Sequence, residues 1–197
     1  MEKHKMIVEA IARVTLYLAE TPFVPYNFEV FSRSLLEYLQ DLENFAKETA
    51  ASHKTTESTS LKFDGLSSAI KELMSALKSL NEWVIQWQLM IANVGGAEPS
   101  YMAMNRWQEN NQFVEFNSLF ITKDLKPRRP GYLNLLFGVP FYAPAKADYV
   151  DDMHQWNTFP TIRDFIMEGN WKNAQRDLDH LAVIFLSAAK RMVTSKA

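Results

Sequence analysis

The sequence predicts an all-α fold, a helical bundle of about four long helices followed by a long irregular loop, a short helix and a last helix. Apolar residues recur at every third or fourth position over long stretches, which is the period of a helix that packs one face against a core. Glycine is scarce, at six of 197 residues, whereas β-sandwiches and Rossmann folds use more glycine in turns and close approaches. We therefore expect residues 1–197 to form a single domain.

A proline-containing break separates the first two predicted helices. The first helix covers residues 4–20 and ends at Thr21-Pro22, because proline disfavours helical backbone before it. The second helix begins after Asn27, a suitable N-cap, and runs to about Ala51. The apolar positions of the first helix are Ile7, Ile11, Val14 and Leu18.

Two glycines divide the third predicted helix from the fourth. The third helix spans Phe63 to about Asn93 and ends at Gly95-Gly96. The fourth covers about residues 99–117, with Pro99 in its first turn. One face of the third helix stays apolar over roughly 45 Å at 1.5 Å per residue. Its members are Leu66, Ile70, Leu73, Leu77, Leu80, Trp83, Trp87 and Met90.

A proline- and aromatic-rich segment, about residues 122–158, is predicted to be the irregular loop. Irregular segments of this length are usually functional. Thr158-Phe159-Pro160 predicts the start of a short helix over 160–168, which Gly169 ends. Asn170 is placed to cap the last helix, from about Trp171 to Val193.

Composition excludes several classes of function. The formal net charge is −2, so no overall basic field is present to hold nucleic acid. Cysteine is absent, which excludes disulfides, thiolate nucleophiles and Cys-ligated zinc. No run of about 18 apolar residues occurs that would span a membrane, and Glu9 and Arg13 interrupt the apolar residues near the start, unlike a signal peptide.

Polar clusters give weak indications of chemistry. Asp177 and His180 are three residues apart on the last helix, but a half-site of two residues is more typical of a solvated pair than of a metal site. Residues 126–130 form a basic run that is too short to indicate a nucleic-acid site. The loop also contains Asp148, Asp151, Asp152 and His154, which are of the types that bind cations or perform acid–base catalysis, although aspartate is common in turns. We expect no catalytic residue and no metal site in this chain.

The long apolar face of the third helix has a second interpretation besides core packing. Trp83 and Trp87 lie on this face, and aromatic residues are enriched at protein interfaces. We therefore consider Leu77, Leu80, Trp83 and Trp87 candidates for a dimer interface.

Four stretches, taken in their order along the chain, form a pattern that no one of them shows alone. They are Tyr26–Phe28 with Leu35–Leu39, Leu61–Lys71, Met104–Arg106 with Glu115–Asn117, and Asn134–Gly138 with Phe159–Asp164. No single stretch is highly specific, but in order and spacing together they resemble the transferrin receptor-like dimerisation domain, the C-terminal helical domain of the glutamate carboxypeptidase II and transferrin receptor family. The resemblance covers about residues 7–193 and ends with the amphipathic helix that follows Gly169-Asn170-Trp171.

The resemblance implies a non-catalytic homodimerisation module of a zinc carboxypeptidase-like protein. The two zinc ions and the catalytic residues of that family lie in a separate peptidase domain, so the expected partners are a second copy of this chain and the parent's peptidase domain, with no nucleic acid and no membrane contact. The resemblance also implies an extracellular, vacuolar or lumenal domain of a type II membrane protein. The parent would be a carboxypeptidase or an aminopeptidase.

The loop of this family leans over the peptidase domain. Glutamate-cleaving members carry a Lys-Tyr pair shortly before the Phe-Pro, and an ungapped count from Phe159-Pro160 puts Met153 and His154 at those positions. Methionine cannot pair with a carboxylate, so glutamate selectivity of the parent is not expected. The candidates for contact with a neighbouring active site are Tyr149, Met153, His154 and Trp156.

Two alternatives to a purely structural module stay open from the sequence. In the first, the parent is an active zinc peptidase and this domain supplies substrate-binding residues such as His154. In the second, the chain is an unrelated helical adaptor that binds another protein. Self-association distinguishes the homodimerisation module from the adaptor.

Overall fold

The computed structural model describes residues 2–52, 61–121, 134–142 and 157–194, and these ranges contain six helices. Within those ranges no strand forms, and the all-α prediction is confirmed. No helix of the described chain is long and apolar enough to cross a lipid bilayer. The helices are α1 (Glu2–Glu20), α2 (Phe28–Ser52), α3 (Asp64–Asn93), α4 (Ser100–Leu119), α5 (Pro160–Met167) and α6 (Trp171–Thr194).

Local capping interactions define several of the predicted helix ends. The Asn27 side chain accepts a hydrogen bond from the Val30 backbone N–H at 3.0 Å, and Asn170 accepts one from the Asn173 N–H at 3.3 Å. Gly95 and Gly96 end α3 with φ angles of 76° and 86°, which glycine adopts without strain. One boundary differs from its prediction, since Pro99 is the extended residue before α4 and not part of its first turn.

The core lies where α3 packs against α6 and α2, with α5 closing the cluster against α6 and α2. Leucines along α3 and α2 meet the inward face of α6, and their side chains are almost completely removed from solvent. Burial of such side chains contributes about 1.5–3 kcal/mol each to folding. The central members include Leu42, Ile70, Leu73, Leu80, Ile162, Leu178 and Phe185.

Helix α1 differs from the other helices because it contributes nothing to this core. None of its residues from Glu2 to Glu20 is buried, and Ile7, Ile11, Val14 and Leu18 are each more than half exposed. The predicted helix is therefore confirmed, but its apolar stripe has no partner among the described residues of the chain.

Candidate functional site

The side chains predicted for a dimer interface lie in the interior of the bundle. Leu77 and Leu80 are buried in the main core, and Trp87 is buried in a smaller cluster at the end of α3. Trp83 is half-buried between the two clusters. Contacts within the same chain occupy Leu77, Leu80 and Trp87, and Trp83 offers only part of its ring. This burial argues against an interface at these residues, and the interface prediction itself stays untested.

Phe23, from the segment between α1 and α2, covers the two tryptophans. Its ring meets Trp87 edge-on at a centroid distance of 4.9 Å and Trp83 edge-on at 5.6 Å. Edge-to-face aromatic pairs add about 0.5–1.5 kcal/mol beyond the burial of their area. The aromatic face of α3 therefore binds the connection between α1 and α2, with Met102 of α4 completing the cluster.

Side chains of α4 hold the backbone of the same connection. The Asn110 amide donates to the Pro22 carbonyl at 2.8 Å and accepts from the Val24 N–H at 3.1 Å. Arg106 adds a hydrogen bond from its Nη1 to the Pro22 carbonyl at 3.3 Å. We call this set the linker clamp. It fixes the path of the chain between α1 and the rest of the bundle.

Glu98 orients the arginine of the linker clamp. Its carboxylate accepts from Arg106 Nε and Nη2, each at 3.0 Å, and from the indole N–H of Trp87 at 3.1 Å. Hydrogen bonds from Arg106 hold the pKa of Glu98 below its ordinary value, and the positive charge of Arg106 and the Trp87 N–H act in the same direction, while burial opposes them. A bidentate pair of this kind is geometrically specific.

The lowered pKa predicts a pH-dependent contribution of Glu98 to stability. A depressed carboxyl pKa stabilises the fold above the unfolded value, about 4.3, and the stabilisation is lost as pH falls through the folded pKa. We expect Glu98→Gln to lower the free energy of unfolding at pH 7 by about 1 kcal/mol. The difference from the unmodified chain should shrink as the pH falls below the unfolded value of about 4.3, and it should vanish below the lowered pKa of the folded state, where Glu98 is protonated in both states.

Urea unfolding at several pH values measures this effect. The matched control is Glu37→Gln, which removes the same charge from an exposed position on α2. A loss at pH 7 as large in the control as in Glu98→Gln would show that the linker clamp does not depend on this carboxylate.

The Phe159–Asp164 motif forms the junction between the irregular segment and α5. Phe159 is buried and has φ 50°, a left-handed conformation that is unusual for a large side chain. Its N–H donates to the Leu136 carbonyl at 2.8 Å, and the Gly138 N–H donates to the Asn157 carbonyl at 2.9 Å. Extended pairing at Asn134–Gly138 is limited to isolated β-bridges, one of them between Phe137 and Thr158.

Asp164 ties a second part of the irregular segment to α5. Its two carboxylate oxygens accept from the backbone N–H groups of Phe141 and Tyr142, each at 3.2 Å. The Asn134 side chain accepts from the N–H groups of Leu136 and Phe137 at 2.8 and 3.1 Å. The Asp164 side chain therefore holds residues 141–142 to α5, while Asn134 stabilises the local turn at 134–137.

Arg163 is a buried charged residue of the same motif, and the sequence pattern did not identify it as a candidate site residue. Its side chain is 2% exposed, forms an ion pair with Asp41 of α2, and lies over the Phe45 ring at 5.1 Å. The Nε–H donates to the Thr158 carbonyl at 2.9 Å. Burial lowers the pKa of Arg163, and the hydrogen bond and charge of Asp41 oppose that shift. An arginine among the apolar positions of a short helix was the available signal.

The predicted polar sites have different outcomes. Tyr149, Met153, His154 and Trp156 lie outside the described residues, as do the aspartates at 148, 151 and 152 and the basic run at 126–130, so these predictions stay untested. Asp177 is buried and accepts from Arg176 at 3.4 Å, whereas His180 is exposed. Across the described ranges, no three potential metal-ligating side chains come together.

Two depressions on the described surface are unsuited to a small ligand. The one between α4 and α6, lined by Gln112, Phe116 and Arg191 among others, has a volume of about 20 Å³. That is space for about one water molecule. The other, about 440 Å³, is an open recess along the side of α1 and is lined by residues of that helix alone.

The outer face of α4 exposes large apolar side chains. Met104, Trp107 and Val114 are 69%, 65% and 71% exposed, although they belong to a helix whose inner face is well packed. Three residues of the 20 in α4 are charged, namely Arg106, Glu109 and Glu115. Glu109 is buried and Arg106 is bound to Glu98, which leaves Glu115 as the exposed charge.

Comparison with known proteins identifies the family. The profile of the transferrin receptor-like dimerisation domain matches residues 61–193, which is more than half of the chain. The chain belongs to the transferrin receptor-like dimerisation domain family. The matched range runs from just before α3 into the last turn of α6, while α1 and α2 precede the match, although the leucines of α2 belong to the same core.

Two proteins of Saccharomyces cerevisiae are similar to this chain. One, named "Putative zinc metalloprotease TRE2", is 25% identical over 193 residues, which are 96% of this chain and 22% of that protein. The other, named "Uncharacterized protein TRE1", is 25% identical over 196 residues, which are 95% of this chain and 23% of that protein. The chain therefore spans less than a quarter of the length of these relatives.

Proposed function

We propose that this chain is the homodimerisation module of a larger zinc carboxypeptidase-like protein and performs no catalysis itself. The observation that carries the proposal is the match of residues 61–193 to a dimerisation domain. The second support is the similarity to the protein named "Putative zinc metalloprotease TRE2", which is more than four times as long as the matched segment. The zinc ions and the catalytic groups would then belong to a peptidase domain outside this chain.

The exposed apolar stripe of α1 indicates that a neighbouring folded unit covers it. Ile7, Ile11, Val14 and Leu18 share one face, and none of them is buried in this chain. An apolar face of this kind is typical of an interaction surface. Because α1 precedes the dimerisation match and the linker clamp holds its connection in place, we assign this face to the peptidase domain of the longer protein.

Size-exclusion chromatography with light scattering tests the homodimer. We expect the chain to show twice its mass of 22.7 kDa at high concentration and to dissociate on dilution. A monomer throughout the concentration range would contradict dimerisation by this chain alone.

The control is Ile11→Glu on α1. Without the peptidase domain, the uncovered stripe of α1 is free to associate non-specifically, and a charge in its centre prevents this. If the chain is a homodimerisation module, the Ile11→Glu variant still shows the mass of a dimer. Loss of the dimer would show that α1 had caused the association and would contradict the proposal.

A further inference from the structure

The outer face of α4 has the sequence pattern of a helix–helix contact. Met104, Trp107, Asn111, Val114 and Ser118 follow one another at alternating intervals of three and four residues. We call these five residues the α4 seam. A seam of period 3.5 lies along one side of a helix and is typical of side-by-side helix packing. The buried residues of α4, such as Met102, Phe113 and Phe116, lie on the opposite side.

Packing against the described residues does not explain the exposed members of the α4 seam, in which only Asn111 is partly buried. Trp107 and Val114 are about two-thirds exposed, and Ser118 is exposed as well. The outer faces of α2 and α6 are, by contrast, occupied by charged residues, for example Glu29, Arg33, Lys172 and Asp179. A solvated helix normally carries such charges, so a nearly uncharged, apolar outer face indicates a partner.

We infer that the α4 seam is where a second copy of this chain docks, with α4 antiparallel to α4 of the other copy and the two-fold axis close to Asn111. The inference rests on the proposed homodimer and assigns its surface. Met104 and Ser118 lie seven residues on either side of Asn111, so an antiparallel pair places each next to the other in the second copy. Trp107 lies four residues before Asn111 and Val114 three residues after it, so the large ring of Trp107 lies within one residue of the level of the small Val114 in the second copy.

The chemistry of the α4 seam is self-complementary. The Asn111 amide has both a donor and an acceptor, so two copies facing across the axis can satisfy each other. A single polar residue in an apolar seam fixes the register of pairing. The exposed Glu115 lies four residues from the axis, so the two glutamates are about 12 Å apart and do not oppose each other directly.

The α4 seam is large enough to form the centre of a dimer contact of modest area. A stable contact buries at least about 1,000 Å² in total, or about 500 Å² per copy. A helix of 20 residues offers a strip about 30 Å long, and an aromatic residue such as Trp107 alone buries about 150–250 Å². Tyr101, on the flank of the strip, is also 64% exposed and extends it.

Paired substitutions of valine test this surface. Val114→Glu places a charge in the α4 seam, and Val183→Glu places the same charge on the outer face of α6, where Val183 is 63% exposed. We expect Val114→Glu to raise the dimer dissociation constant at least about tenfold and Val183→Glu to leave it unchanged. Circular dichroism should show both variants folded, because neither valine belongs to the core.

Charge complementation tests the antiparallel arrangement. Trp107→Lys alone should weaken the dimer, and the combination of Trp107→Lys with Val114→Glu should restore much of it. The two substitutions are seven residues apart in one helix, too far for a direct intrachain pair, but antiparallel packing places the lysine of one copy next to the glutamate of the other. Failure of the combination to restore the dimer would overturn the antiparallel arrangement.

A single cysteine gives an independent measurement, since the chain has none of its own. Oxidation of Asn111→Cys should cross-link two copies, because residues on a two-fold axis meet the short Cα distance that a disulfide needs. Val183→Cys is the control and should stay uncross-linked.

The outcomes separate this inference from the proposed function. A dimer that persists in Val114→Glu, or that is not cross-linked through Asn111→Cys, overturns the α4 seam while homodimerisation stands. Absence of any dimer in the unmodified chain, together with no cross-link, overturns both. If a peptidase domain and not a second copy binds the α4 seam, the dimer should persist in Val114→Glu and Asn111→Cys should not cross-link.

Discussion

Replacement of Arg163 with alanine is expected to destabilise the domain by about 3 kcal/mol, the lower end of the range for breaking a buried ion pair, because the side chain of Asp41 is 31% exposed. The guanidinium is nearly completely buried, and it connects Asp41 on α2 to the Thr158 carbonyl at the entry to α5. Its removal leaves the Asp41 carboxylate without this cation and the Thr158 carbonyl without this donor. It also opens a cavity against the ring of Phe45.

Urea unfolding of Arg163→Ala should be compared with that of Arg33→Ala. Arg33 forms an ion pair with Glu29 on the surface of α2, where their side chains are 63% and 81% exposed. Such a pair contributes at most about 1 kcal/mol. Equal losses in the two variants would mean that the burial of Arg163 has no energetic consequence.

A double-mutant cycle identifies the source of the loss. Asp41→Asn keeps the shape of the side chain and removes its charge, so the guanidinium stays buried with weaker compensation. We expect the effects of Asp41→Asn and Arg163→Ala to be clearly non-additive, since residues in direct contact show coupling energies of about 0.5–3 kcal/mol. Additive effects would attribute the loss to packing alone.

Helix positions in this domain follow from local sequence. The 3.6-residue period of apolar positions, the asparagine caps at Asn27 and Asn170, and the glycines after α3 and α5 each act within a few residues. The predicted and observed ends of these helices therefore agree closely. At Pro99 the difference is one residue, because a proline suits both the N-cap and the first turn.

Long-range polar contacts could not be predicted in the same way. The Arg163–Asp41 pair joins residues 122 positions apart, and the bond from Asn110 to Pro22 joins residues 88 apart. Nothing in the local pattern around Asp41 distinguishes it from a solvated aspartate at the edge of an amphipathic helix. The partner becomes apparent only when α2 and α5 are packed together.

The covered and uncovered apolar faces were also indistinguishable by sequence. The face of α3 with Leu80 and Trp87 and the face of α1 with Ile11 have the same spacing, yet one is buried and the other exposed. The period of apolar residues indicates that a helix face packs against a partner, and it does not show whether that partner belongs to the same chain. The sequence pattern did not distinguish the α4 seam for a related reason, because α4 has apolar residues on both sides.

The placement of Leu80 predicts a large loss of stability on truncation. Leu80 is fully buried in the core between α3 and its neighbours, so Leu80→Ala should lower the free energy of unfolding by about 2–5 kcal/mol. A residue at a dimer interface would behave differently. Its truncation would weaken self-association and leave the stability of the separate folded chain nearly unchanged.

Leu89→Ala is the matched control, because Leu89 lies on the same helix and is 53% exposed. Its effect should be within about 0.5 kcal/mol, as for other surface positions. Urea unfolding and light scattering on both variants separate the two roles of α3. Under conditions where Leu80→Ala remains folded, it should still form the dimer, because α4 and not α3 provides the contact. If Leu80→Ala is instead folded and fully stable but monomeric, the dimer interface lies on the inner face of α3.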